Sequence, residues 1–144
     1  MDLSTEDRLA LHELANRYGN AVDDRDWGAL ATVFDPDARF VIDTGDGPPI
    51  EHVGIEAIVA MMRVGRHPVT HHVTNVVVGD VMGAAGNDAS EVGLFFKVLG
   101  TGPRGRVGSA DYRDTARRTA DGWRIVEHLV TFRHPEPLQS PETG

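Results

Sequence analysis

Cysteine is absent from the 144-residue sequence. That excludes disulfides, thiolate catalysis and zinc or iron–sulfur sites built on cysteine, and it fits a reducing compartment. Long apolar runs are also missing: none approaches the ~18 residues of a membrane span. The opening Met1-Asp2-Leu3-Ser4-Thr5-Glu6-Asp7 is acidic and has no apolar centre, so it does not read as a signal peptide. Together these features predict a cytoplasmic protein. Positive charge is scarce, with 14 Lys and Arg against 22 Asp and Glu and a formal net charge of −8. Such a chain binds a phosphate backbone only through a local basic patch. The nearest to one, Arg113, Arg117 and Arg118 with Arg104 and Arg106, reads as a solvated strand face. Neither a nucleic acid nor a membrane is expected as partner. No serine nucleophile elbow, phosphate loop, dinucleotide fingerprint, His-x-His or His-Glu-x-x-His run occurs, so no metal site is expected.

What is present suits one soluble domain with one core, over residues 1–134. The last ten residues, 135–144, are rich in Pro, Ser and Glu and are expected to be disordered. Ser4 with Asp7 resembles a capping box, and Leu11, Leu14, Tyr18 and Val22 then share a helical stripe, predicting a helix over 5–23. Asp26 caps a second short helix carrying Trp27, Leu30 and Phe34, which Asp35-Pro36-Asp37 stops. A short strand over 39–43, a turn-rich loop over 44–49 and a helix over 54–64, with Gly65 as C-cap, come next. Four strands are predicted at 70–79, 90–100, 106–119 and 123–133. The loop 83–88 joins the first two, and Ala120-Asp121-Gly122 makes a hairpin between the last two. Val92, Leu94, Phe96 and Val98 alternate onto one buried face, and Val126, His128, Val130 and Phe132 share another. The order is that of an α+β fold, with helices packed on one face of a curved, mostly antiparallel sheet.

The stretch Thr70-His71-His72-Val73-Thr74-Asn75-Val76-Val77-Val78 is the first place to look for chemistry. Adjacent residues of a strand point to opposite faces, so one histidine faces a core or cavity and the other does not. A histidine fixed on a cavity wall is a candidate proton carrier, its ordinary pKa of about 6.5 lying near working pH. The same alternation sets Val73 and Val77 on one face and Val76 and Val78 on the other, predicting a homo-oligomer, most simply a two-fold dimer through the open sheet face. His12, His52, His67 and His134 read as surface or loop residues.

Four segments now line up: Arg17-Tyr18 with Ala21 and Asp23; Asp26-Trp27 to Phe34-Asp35-Pro36-Asp37-Ala38; His71-His72-Val73-Thr74-Asn75; and Tyr112-Arg113-Asp114 to Asp121-Gly122-Trp123-Arg124-Ile125. In order and spacing, over residues 5–133, they resemble the SnoaL-like families of the NTF2-like (nuclear transport factor 2-like) superfamily. These include scytalone dehydratase, bile-acid 7α-dehydratase, a hexachlorocyclohexane dehydrochlorinase and polyketide cyclases. The resemblance implies a cone: a strongly bent sheet wrapped against three N-terminal helices around an apolar pocket. It implies a lyase or isomerase that needs no metal or organic cofactor and acts on a small apolar, cyclic molecule. His71 would be the base, Asp23 the residue that orients it, and Tyr18 a third catalytic group. Tyr112, His128, Trp27, Phe96 and Val130 would line the substrate pocket. Where the dehydrochlorinase carries an arginine, this sequence has His128, so a fixed cation is replaced by a titratable group. The rival reading is a non-catalytic protein of the same fold that binds a small molecule or a partner chain. A closed apolar cavity with His71 and Asp23 hydrogen-bonded inside it favours the enzyme. A filled cone with His71 in solvent favours the rival.

Overall fold

The computed structural model describes residues 2–80 and 90–133; the expected 83–88 loop, His134 and the 135–144 tail lie outside them. The elements are α1 (Thr5–Asp23), α2 (Trp27–Val33), β1 (Phe34–Asp43), β2 (Ile50–Val53), α3 (Ile55–Val64), β3 (Thr70–Gly79), β4 (Glu91–Thr101), β5 (Val107–Thr119) and β6 (Gly122–Arg133). The capping box forms: Ser4 Oγ accepts from the Asp7 N–H at 3.1 Å, and the Ser4 N–H donates to Asp7 Oδ2 at 3.0 Å. Asp7 also accepts from Trp123 Nε1 and pairs with Arg118, tying the start of α1 to the β5–β6 hairpin. These donors, Arg118 foremost, hold its carboxyl well below the usual carboxylate range. Asp26 caps α2 by accepting from the Ala29 N–H at 2.9 Å.

The six strands form one sheet in the order β2-β1-β6-β5-β4-β3, antiparallel except for the β1–β6 pair. Leu11, Leu14, Tyr18 and Val22 of α1 bury their stripe together with Val92, Leu94, Phe96 and Val98 of β4. A fully buried side chain of this kind contributes roughly 1.5–3 kcal/mol.

Four details depart from the sequence reading. β1 begins at Phe34 rather than at residue 39, because Phe34 already pairs with Ile125; the register shift before Arg39 accommodates Pro36 within the strand. β2, a four-residue edge strand, was not anticipated. In β3, Asn75 adopts φ +54° and the register slips between Thr74 and Val77. This bulge breaks the alternation: Val73, Val76 and Val78 pack on the core, and Val77 is 58% exposed. Val73 and Val77 are therefore not on one face. In β6 the register shifts so that Glu127 faces Thr115 while Ile125 faces Ala116, leaving Val126 as the extra residue. Ile125, His128 and Val130 point inward, Val126 stays outside the core cluster, and Phe132 is 45% exposed.

Candidate active site

A cavity of about 470 Å³ opens inside the bend of the sheet. Its buried wall includes Tyr18, Phe40, Met62, His71, Val98, Tyr112 and Val130; exposed Arg66, Arg106, Val107, Phe132 and Arg133 form its rim. A cavity of this size suits a small organic molecule.

β3 delivers His71 to the wall and leaves His72 exposed on the other face. Two glycines lie at close approaches. A Cβ on Gly19 of α1 would lie 3.4 Å from both His71 Cβ and Val73 Cγ2, so the helix rests on the strand at contact distance. Gly100 faces His71 in the β3–β4 register, and a Cβ on it would stand 2.6 Å from Pro68 Cγ.

Asp23, the last residue of α1, reaches His71 from behind the cavity. Its Oδ1 lies 2.5 Å from His71 Nδ1, and its two oxygens accept from the His71 backbone N–H at 3.0 and 2.9 Å. The carboxyl thus clamps both the ring and the backbone of one residue. A carboxylate accepting at Nδ1 leaves the lone pair on Nε2.

The Tyr18 ring stands 6.1 Å from that of His71 and 5.7 Å from that of Tyr112, and the two tyrosine hydroxyls contact each other. Burial raises both phenols above their ordinary value, so they remain protonated; with Tyr18 donating to Tyr112, the Tyr112 hydroxyl is left to donate to an oxygen of a bound molecule.

His128 does not line the cavity. It is fully buried behind it, with ring centroids 4.6 Å from Tyr18, 4.5 Å from Phe40 and 5.0 Å from Tyr112. Its Nδ1 lies 2.7 Å from Asp114 Oδ1, directly across the β5–β6 ladder. Phe96 is also a layer back, stacked on Tyr112 at 5.0 Å. Trp27 lies off the cavity, with the Arg63 guanidinium 5.7 Å over its ring. Sequence reasoning missed His67, taken as a surface residue. It is half-buried and lines the cavity, its Nε2 2.8 Å from the Met62 carbonyl oxygen, and burial lowers its pKa. Its sequence signal was Gly65, just past α3: a Cβ there would stand 2.8 Å from His67 Nε2, so glycine leaves room for the ring. Among the described residues no group of three or more His, Asp or Glu is placed to hold a metal ion, and no helix is long and apolar enough to cross a membrane.

Comparison with known proteins agrees with this architecture. A solved candidate aromatic ring hydroxylase from Novosphingobium aromaticivorans is 28% identical, with a TM-score of 0.70 over 93% of this chain and 94% of that one. An NTF2-like protein with a cystatin-like fold from the same organism is 24% identical, with a TM-score of 0.66 over 88% and 82% of the two chains. A hexachlorocyclohexane dehydrochlorinase from Novosphingobium barchaimii is 22% identical, with a TM-score of 0.68 over 91% and 92%. No curated protein sequence matches this chain. The six-stranded curved sheet with three helices is the NTF2-like fold. The model of the SnoaL-like domain matches residues 4–128, and this chain belongs to that family.

Proposed function

We propose that this protein is a cofactor-independent lyase or isomerase of the dehydratase, double-bond isomerase or cyclase type. The observation that carries the reading is the Asp23–His71 contact at the wall of an apolar cavity. His71 Nε2 removes a proton from a carbon next to an electron-withdrawing group. The electron pair of the broken C–H bond moves into a new C=C bond, and the electron-withdrawing oxygen takes up negative charge. Tyr112, kept protonated by burial, donates to that oxygen, and Tyr18 supports it by donating to the Tyr112 hydroxyl. Asp23 fixes the imidazole orientation and balances the imidazolium that forms. The imidazolium then returns its proton, to a β-leaving oxygen that departs as water in an elimination, or to another carbon in an isomerisation. The apolar walls favour a small, largely apolar cyclic substrate.

The test is proton exchange, which every variant of this reaction shares. The protein is incubated in D2O with a panel of cyclic carbonyl and β-hydroxycarbonyl compounds, and deuterium uptake is followed by NMR. His71→Ala and Asp23→Asn should each lower exchange by about 10²–10⁴-fold, and the double variant should cost little more, because the two act as one unit. His72→Ala should leave the rate unchanged. If His72→Ala is the damaging change, or if the two losses multiply as independent effects, the pair is not the catalytic unit.

A further inference from the structure

Besides the two protonated tyrosines, the ionisable side chains that line the cavity among the described residues are Arg66, His67, His71, Arg106 and Arg133, with no Asp, Glu or Lys. This is the reverse of the chain as a whole, which carries a net charge of −8. The three arginines differ in what holds them. Arg133 is engaged by Asp111, with Nε 2.9 Å from Oδ1 and Nη2 2.7 Å from Oδ2. Arg66, just past α3, and Arg106, just before β5, have no ion pair or hydrogen bond to their guanidinium groups among the described residues. His67 beside them does not supply a competing charge, since burial lowers its pKa.

From this we infer that the substrate is an organic acid: its ionised carboxylate rests on Arg66 and Arg106 at the rim while its apolar body fills the cavity toward His71. This deepens the reading of the cavity as the substrate site and rests on it. A guanidinium offers two parallel N–H donors that match a carboxylate. Two uncompensated cations at the mouth of a low-dielectric cavity attract an anion and repel an amine, which supplies selectivity as well as capture. The apolar wall and the cationic rim thus select the two halves of one amphiphilic molecule.

The experiment uses a neutral fluorescent reporter, N-phenyl-1-naphthylamine, bound to the full chain and displaced by 2-naphthoate or by 2-naphthamide. The two competitors differ in charge and little in shape. The acid should displace the reporter at lower concentration than the amide. Each arginine should contribute about twofold to fivefold, as for exposed ion pairs. The preference should shrink as salt is raised. Arg66→Gln with Arg106→Gln should erase it while the amide competes as before; both residues are exposed, so the variant should keep its melting temperature. Binding of reporter and amide without preference for the acid, or a preference that survives the double substitution, would overturn the inference and leave the cavity reading intact. Failure of reporter and amide alike to bind would overturn both.

Discussion

Asp114 and His128 face each other across β5 and β6 with no measurable side-chain exposure, and neither side chain has a partner outside the pair among the described residues. Burial pushes the Asp114 carboxyl above the ordinary carboxylate range, against the opposing pull of His128 and with a small push from Glu127. Removing one member should be costly because the other is left alone in the core. His128→Leu is expected to lose about 1–3 kcal/mol in denaturant unfolding, because it leaves the buried Asp114 carboxyl without a partner, and pairing it with Asp114→Leu should recover much of that. The pH dependence has a definite sign. Above the ordinary Asp pKa the unfolded chain has released a proton that the folded Asp114 still holds, so this group's contribution to stability falls as pH rises toward its folded pKa. Asp114→Asn removes that slope. The melting temperature of Asp114→Asn relative to the parent should therefore climb as pH rises above about 4, the ordinary Asp value; a constant difference would show that Asp114 is not held protonated in the fold.

At the scale of elements, α1 lies close on β3 at Gly19, where an added Cβ would stand 3.4 Å from His71 and Val73. An alanine Cβ there just reaches ordinary contact, and alanine favours a helix interior by up to about 1 kcal/mol, so Gly19→Ala should raise the melting temperature and keep activity. Gly19→Val adds two methyls against His71 and Val73. It should lower kcat more than it lowers stability, and a kcat equal to the parent's would show that helix proximity does not govern His71. The sequence announced much of this frame. Ser4 and Asp7 wrote the start of α1, Asp26 the start of α2, and the alternation of Val92, Leu94, Phe96 and Val98 the buried face of β4. What it hid was what has no period. One extra residue at Asn75 and another at Val126 reverse the face of every side chain beyond them, and neither residue type signals a bulge by itself. β2 is too short and too exposed to show a pattern. The adjacency of His71 and His72 guaranteed opposite faces but not which one turned inward; that assignment, like the pairing with Asp23, came from the family resemblance. His67 was missed because its ring folds back over α3 to the Met62 carbonyl, into space that Gly65 leaves open: a Cβ there would stand 2.8 Å from His67 Nε2.

At the scale of the molecule, the sheet has a second face that the helices do not cover. The bulge in β3 sends Val76 to the core and turns Val77 outward, so the outer apolar set differs from the one that alternation implied. It consists of Val77, 58% exposed, Leu99, 42% exposed, and the half-buried Phe95 and Leu129; Val77 faces Phe95 across β3–β4, and Arg113 joins Phe95 to Leu129 across β4–β5–β6. We propose that two copies pair through this face, the self-complementary arrangement that a two-fold dimer requires. Sedimentation at tens of micromolar should give twice the 15.6 kDa mass of the chain. A persistent single-chain species would overturn the proposal. Val77→Lys and Leu99→Lys place a charge where the apolar contact would form and should shift the equilibrium to monomer without lowering the melting temperature of the monomer. The cavity rim is built from Phe132 and Val107 with the arginines, not from Val77 or Leu99. Dissociation should therefore leave displacement of the naphthylamine reporter unchanged, and a loss of binding on dissociation would mean that the partner copy completes the site.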